Sequence, residues 1–96
     1  MSATTVIDID KLLDIDPYNG KPVIRGSRLR VMTLAARHLE GRSPEQIADD
    51  YRSLTIPAVY AALAYYYEHR LEMDAEEERE MRAALEWAKA NGAEII

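Results

Sequence analysis

Apolar and polar positions follow two different periods along this chain, one in the first thirty residues and another in the remainder. Residues 6–10 alternate between apolar and acidic side chains, which predicts a short strand. Asn19-Gly20 predicts a turn because both residue types tolerate positive φ angles. Residues 23–30 predict a tight hairpin with Gly26-Ser27 as its two-residue loop. The N-terminal part is therefore predicted to be a small β-ribbon.

Further along, the apolar positions recur at helical spacing and predict three helices. The first covers residues 31–40. The second begins at Ser43-Pro44-Glu45-Gln46, which has the composition of a helix start with a capping box. The third runs from Thr55, as N-cap, to about Arg70. A short helix, a tight turn and a longer helix, preceded by another helix, form the outline of a helix-turn-helix unit.

The apolar spacing of the third helix also predicts which of its sides faces the core. The predicted inward side consists of Ile56, Val59, Tyr60, Leu63, Tyr66 or Tyr67, and Leu71. The predicted outward side consists of Ala58, Ala61, Ala62, Tyr65 and His69. The three consecutive tyrosines cover most of the helix circumference, so at least one is expected to be exposed, either at the edge of the core or on a contact surface.

The last segment predicts a separate acidic helix that begins with Asp74 as its N-cap and ends at Asn91-Gly92. Its apolar stripe is narrow, so the helix either packs weakly on the domain or binds a partner. The predicted organisation is a domain over residues 1–72 and a helical extension over residues 73–96. The fold class is mostly α, with a small N-terminal hairpin, a three-helix helix-turn-helix-like core and the extra acidic helix.

The composition limits the kind of protein this is. A chain of 96 residues and 10.9 kDa is expected to form one small domain. It has no cysteine, which excludes disulfides and thiolate chemistry and favours a reducing cytoplasm. No apolar run approaches the roughly 20 residues that span a bilayer, and the N-terminus lacks a basic region, so neither a membrane location nor secretion is predicted.

The net charge of −5 is unevenly distributed. Residues 21–42 carry six basic side chains against Glu40 alone, whereas residues 71–96 carry eight acidic side chains against three basic ones. An acidic total is a poor sign of nucleic-acid binding, but a local basic stripe can still contact phosphates. The asymmetry predicts two surfaces with different partners.

Catalytic and metal chemistry find no support in the sequence. Asp14 and Asp16 followed by Gly20 resemble a calcium loop but have the wrong register for its remaining ligands. His38 and His69 are isolated from other ligand types. No catalytic residue, metal site or cofactor is therefore predicted, and the protein is not expected to be an enzyme.

Two groups of residues are candidates for binding. The predicted DNA- or phosphate-binding residues are Arg25, Arg28, Arg30, Arg37, Arg42, Thr55 and Tyr65. The alternative for the arginines is internal pairing with Asp14, Asp16 or Glu40. The predicted partner-binding residues are Met81, Leu85, Trp87, Ala88, Ile95 and Ile96. The alternative for the acidic helix is an ordinary solvated face.

The run from Gly20 to His69, GKPVIRGSRLRVMTLAARHLEGRSPEQIADDYRSLTIPAVYAALAYYYEH, resembles the domain-of-unknown-function 433 family. Its opening matches that family at Gly20, Lys21, Pro22, Ile24, Gly26 and Arg28. Ser27 and Arg30 stand where the family usually has Thr and Pro. The resemblance implies a helix-turn-helix-like domain that acts as a VapB-like antitoxin beside a PIN-like ribonuclease toxin.

Two interpretations of different classes follow. In the first, the protein is a non-enzymatic antitoxin: its core binds operator DNA as a homodimer or higher oligomer, and residues 73–96 cover the toxin. In the second, it is a protein-interaction or assembly module with no role on DNA. The alanine-rich outward side predicted for the third helix favours the second interpretation, because bases are usually read by Arg, Lys, Asn or Gln.

Overall fold

The computed structural model describes residues 9–92, which form a mostly helical fold with one small antiparallel hairpin. The elements in chain order are α1 (Ile9–Leu12), β1 (Leu13–Ile15), β2 (Pro22–Ile24), α2 (Val31–Leu39), α3 (Pro44–Asp50), α4 (Ile56–Glu68) and α5 (Arg70–Ala90). The predicted fold class is confirmed. The predicted strand over residues 6–10 lies mainly outside the described residues, and its last two positions belong to α1, so there the prediction is wrong.

The hairpin forms between β1 and β2 rather than at the predicted position. Leu13 pairs with Ile24 and Ile15 with Pro22. The connecting loop contains the predicted turn, where Gly20 has a φ of 71° that glycine adopts without steric cost. The side chain of Asp16 accepts a hydrogen bond from the backbone N–H of Tyr18 at 2.8 Å, which is typical of such turns.

The predicted hairpin over residues 23–30 is wrong in its second strand. After the Gly26-Ser27 turn only an isolated bridge joins Val23 and Arg30. Leu29 is partly buried against the core, and Arg30 already serves as the N-cap of α2. A second strand does not form because α2 begins directly after this bridge, at the fully buried Val31.

The local signals for helix ends hold where they depend on a specific hydrogen bond or a positive φ. Ser43 and Gln46 form the predicted capping box, and Thr55 caps α4 by accepting from the N–H of Ala58. Gly41 follows the end of α2 with a φ of 101°.

Helix α4 lies at the centre of the fold and contacts every other described element. Its buried residues are Ala58, Val59, Ala61, Ala62, Leu63 and Tyr66. The predicted outward side is therefore wrong at its three alanines, and the predicted inward side is wrong at Ile56, Tyr60 and Leu71, which are exposed. The error has a physical cause: α4 is apolar around its whole circumference, so periodicity cannot mark its buried side. Three of the six buried residues are alanines, and the other three are the larger Val59, Leu63 and Tyr66.

Helix α5 begins at Arg70, separated from α4 only by His69, and not at Asp74 as predicted. Asp74 lies inside the helix and accepts a hydrogen bond from the buried Tyr66 hydroxyl at 2.8 Å. The predicted end is confirmed, since Asn91 caps the helix and Gly92 has a φ of 70°. None of the 21 residues of α5 is buried. The proposed boundary between residues 72 and 73 falls within this helix and stays a prediction.

The position of the α4 alanines predicts a clear stability difference. Ala62→Leu adds volume to a fully buried site and should lower the free energy of unfolding by about 1–3 kcal/mol. The matched Ala83→Leu, on the exposed surface of α5, should change it by no more than about 0.5 kcal/mol. Urea unfolding followed by circular dichroism measures both, and equal midpoints would contradict the burial of Ala62.

Candidate partner-binding and phosphate-binding surfaces

Two of the five predicted phosphate-binding arginines are available to a ligand. Arg28 follows the Gly26-Ser27 turn and Arg30 precedes α2, and both side chains are exposed. Neither makes a hydrogen bond or an ion pair with any residue between 9 and 92. Their positions on either side of Leu29 follow from local backbone contacts, because the Ser27 hydroxyl accepts from the N–H of Leu29 at 3.1 Å.

The other three arginines contact carboxylates of their own chain. Arg25 lies 3.7 Å from Asp14, which was the predicted alternative, and also donates to the carbonyl of Leu13. Arg42 donates two hydrogen bonds to the Asp50 carboxylate, at 2.6 and 3.0 Å. Such a two-point pair orients the guanidinium and lowers its availability for phosphate.

Arg37 is the third paired arginine. It contacts Glu40 at 3.2 Å. A hydrogen bond with Tyr51, and secondarily the Glu40 carboxylate, raise the pKa of Arg37 above its ordinary value.

Among residues 9–92, no observed contact links Thr55 or Tyr65 to the five arginines, so these residues do not form one site. The Thr55 hydroxyl is engaged as the α4 cap at 3.3 Å from the N–H of Ala58. The Tyr65 ring is partly buried against the core and lies against His69, with ring centres 4.3 Å apart. The exposed side of α4 carries no Arg, Lys, Asn or Gln, so it lacks the side chains that usually read base edges.

The first half of α5, residues 70–80, is attached to the body by a lysine. Lys21, in the loop before β2, donates to Glu76 at 2.9 Å and to Glu80. The Lys21 side chain is only 17% exposed, which strengthens the pairing relative to a fully solvated one. The hydrogen bonds that Lys21 donates to Glu80 and, secondarily, to Glu76 raise the pKa of Lys21, and the same contact lowers the pKa of Glu76. Met73 packs on the core beside this clamp.

The sequence marks Lys21 only as part of the family motif and does not predict this role. The detectable signal is the pair of glutamates four residues apart on the last helix, which present two carboxylates on one side. A lysine is a natural counter-charge for such a pair, but no sequence pattern specifies a contact across fifty-five residues.

The second half of α5, residues 81–90, has no such attachment. Met81 and Leu85 share one side of the helix with the partly exposed Ala88, and Trp87 lies on another side. Met81 is 61% and Trp87 66% exposed. The predicted partner-binding residues of this helix are thus accessible, while Ile95 and Ile96 lie outside the described residues.

Other kinds of site find no support in the part of the chain that is described. Between residues 9 and 92 no group of three or more His, Asp or Glu side chains is arranged to hold a metal ion. Over the same residues, no helix combines the length and the apolar character needed to cross a bilayer.

A family model described as "Protein of unknown function (DUF433)" matches residues 13–66, which is more than half of the chain. The chain belongs to this family. The DUF433 match covers the hairpin and α2 to α4 up to Tyr66, and it ends before α5. The arm formed by α5 is therefore outside the segment that defines the family.

A solved structure supports the same assignment. The chain is similar to the crystal structure of a DUF433 member protein from Anabaena variabilis ATCC 29413, with 30% identity and a TM-score of 0.62. The match covers 68% of this chain and 66% of the other, so the chain spans slightly less than two thirds of that structure. No curated protein matches the chain.

The lysine clamp predicts a local effect of Lys21→Met, which keeps the apolar stem and removes the charge. Loss of the clamp should weaken the attachment of α5 by about 1 kcal/mol, because a partly covered ion pair is lost. Amide hydrogen exchange in residues 70–80 should then accelerate about five-fold, with the α4 amides unchanged. Lys89→Met, which removes an exposed lysine from the same helix, is the matched control.

The same clamp predicts a pH dependence. The lowered pKa of Glu76 means that its contribution is complete above the ordinary carboxylate value of about 4.3 and is lost as the pH falls through the lower folded value. The raised pKa of Lys21 means that its contribution is lost only when the pH rises through that higher value. The difference in unfolding free energy between wild type and Lys21→Met should therefore shrink in acid, and a constant difference would contradict the clamp.

Proposed function

We propose that this protein is a non-enzymatic, antitoxin-like binding protein that holds a partner protein with the exposed second half of α5. The observation that carries this proposal is the contrast within one helix. Residues 70–80 are attached to the body through Lys21, Asp74 and Met73, whereas residues 81–90 present Met81, Leu85 and Trp87 to solvent.

The chemistry of the arm fits a protein partner. Exposed Met and Trp side chains are enriched in the buried centres of protein interfaces. A helix that offers one apolar stripe binds well in an apolar groove of another protein. The arm itself carries Arg82 and Lys89 against Glu86, and the acidic side chains of α5 lie in its first half. These acidic side chains would favour a partner whose basic surface extends beyond the arm, as expected of a ribonuclease that binds RNA.

The identity of the partner is taken from the family resemblance. VapB-like antitoxins are expected beside a PIN-like ribonuclease toxin, and neutralisation then follows if the arm covers the surface on which the toxin binds RNA. No cofactor is part of this proposal. Catalysis resides in the toxin, and the present chain acts by binding.

The proposal predicts that the tagged protein co-purifies with the product of the adjacent reading frame and suppresses its toxicity. The double variant Met81→Glu, Leu85→Glu should lose capture by at least ten-fold, because charges replace the apolar contact. Both side chains are exposed, so the variant should keep the stability of the wild type.

The matched control is Ala83→Glu, which adds a charge to the same helix on the side opposite Met81 and Leu85. It should retain capture and rescue. Capture that is equal in the double variant and the control would sink the assignment of this arm, and absence of any complex would sink the antitoxin function itself.

Operator DNA is a second candidate ligand, supported by Arg28 and Arg30, which form no hydrogen bond or ion pair within residues 9–92. They would contact phosphates, while the paired Arg25, Arg37 and Arg42 would contribute less. Helix α4 offers no base-reading side chains, so any sequence preference would have to come from elsewhere. The same lack favours the alternative function, an assembly module without a DNA role, whereas the α4 alanines no longer support it because they are buried in the core.

A salt titration separates these two possibilities. If phosphates are contacted, binding to a duplex from the region upstream of the gene should weaken steeply with salt, and Arg28→Ala, Arg30→Ala should reduce the slope of log K against log salt by about 2. Arg42→Ala removes the same charge from an arginine paired with Asp50 and should change the slope little. Absence of binding by the wild type would leave the assembly module.

A further inference from the structure

The side of α4 that faces away from the core carries a continuous apolar stripe, which we call the α4 stripe. It consists of Ile56, Tyr60, Ala64 and Tyr67, followed by Leu71 in the first turn of α5. Spacings of three and four residues place the α4 members on one side of the helix. The four large side chains are between 40% and 85% exposed. Residues between 9 and 92 cover them only in part, as the Arg70 guanidinium does over the Tyr67 ring.

The whole circumference of α4 is built for burial. Its sequence, IPAVYAALAYYYE, contains a single charged residue, Glu68. A helix that is apolar on every side is normally covered on every side. Within residues 9–92 the fold covers the side of α4 that contains Ala58, Ala61 and Ala62 and leaves the α4 stripe exposed, so this stripe is a candidate surface for another molecule.

We propose that this cover is the same stripe of a second copy, with the two α4 helices packed antiparallel and crossing at Ala64. The argument is the symmetry of the stripe itself. Read in either direction it runs from a branched aliphatic side chain to a tyrosine, a central alanine, a tyrosine and a branched aliphatic side chain.

A two-fold axis at Ala64 pairs each member with a suitable partner. Ile56 of one copy meets Leu71 of the other, and Tyr60 meets Tyr67. A symmetric dimer interface requires this relation, in which residue i contacts j and j contacts i. The small side chain at the crossing point allows the two backbones to approach closely, and the aromatic pairs on either side supply large contact areas.

The polar atoms of the stripe are already satisfied within one copy. The Tyr60 hydroxyl donates to Glu45 at 2.9 Å, and the Tyr67 hydroxyl is 2.7 Å from Nε2 of His38. Burial of the rings would therefore leave no hydroxyl without a partner, and the rings are held in place before association.

The charges favour the same occupant. Each copy carries a net charge of −5, so association through the acidic α5 would bring like charges together. None of the five stripe residues carries a charge. Antiparallel packing also sets the N-terminus of each α4 beside the C-terminus of the other, so that the opposite ends of their dipoles meet. This interface lies along α4 and the first turn of α5, apart from the proposed partner arm at residues 81–90, and does not depend on that function.

Disulfide trapping tests the crossing point directly, because the wild-type chain has no cysteine. Ala64→Cys should place two sulfurs at the two-fold axis, where mild oxidation yields a covalent dimer. Ala83→Cys, an exposed alanine on α5, reports the rate of random collisions. The proposal expects cross-linking at Ala64 to be at least ten-fold faster than at Ala83.

Sedimentation equilibrium of the untagged full chain gives the second readout, over a range from about 1 µM to about 1 mM. The wild type should reach about twice the monomer mass of 10.9 kDa, whereas Ala64→Glu should stay monomeric and keep its helical circular dichroism. Ala83→Glu should dimerise as the wild type does.

Three outcomes would overturn the proposal. One is a wild type that stays monomeric over the whole range. Another is a dimer that persists in Ala64→Glu. The third is equal cross-linking at the two cysteine positions. A monomeric wild type whose capture of a different protein is abolished by Ala64→Glu would assign the α4 stripe to that other protein instead.

Discussion

The burial of the alanine side of α4 is the constraint on which the rest of the structure depends. Ala58, Ala61 and Ala62 are almost without side-chain volume, so the elements around α4 can approach its backbone closely and form a dense core in a small domain. A small domain hides only a modest fraction of its surface, and such close packing is its main source of stability. One central helix thereby organises the hairpin, α2 and α3 around a single side.

The packing of α4 against the other elements determines which of its side chains remain exposed. The buried side of α4 also contains Val59, Leu63 and Tyr66. Because the helix is apolar on every side, further large apolar side chains remain at the surface, at Ile56, Tyr60 and Tyr67. Large apolar side chains on a surface indicate contact with another molecule when they are contiguous. The fold thus carries two separate apolar surfaces, the α4 stripe and the second half of α5. They differ in charge, since no residue of the α4 stripe is charged, whereas residues 81–90 carry Arg82 and Lys89 against Glu86.

The sequence predicts those features that depend on local chemistry. The Ser43 capping box, the Thr55 cap and the positive φ of Gly41 follow from residue type and spacing alone, and each is present. The class of fold and the family resemblance over α2 to α4 follow in the same way. What fails is the assignment of sides to α4, because an apolar residue at every position leaves no periodic contrast to read. The sequence also cannot predict that Arg42 is paired with a carboxylate while Arg28 is not among the described residues, since this depends on which carboxylates the fold brings near.

The start of α5 shows how a tertiary contact overrides a local signal. Asp74, followed by Glu77, has the composition of a helix start, yet its carboxylate accepts from the buried Tyr66 hydroxyl and the helix begins four residues earlier. The hydroxyl of a buried tyrosine must find an acceptor, because leaving it unsatisfied costs about 1–3 kcal/mol, whereas a capping side chain typically contributes about 1 kcal/mol. With Asp74 held there, Glu76 and Glu80 align on Lys21, and the helix is fixed to the body up to that point. Beyond Glu80 the helix forms no hydrogen bond or ion pair with another element among residues 9–92, which is the physical reason that its apolar residues remain available to a partner.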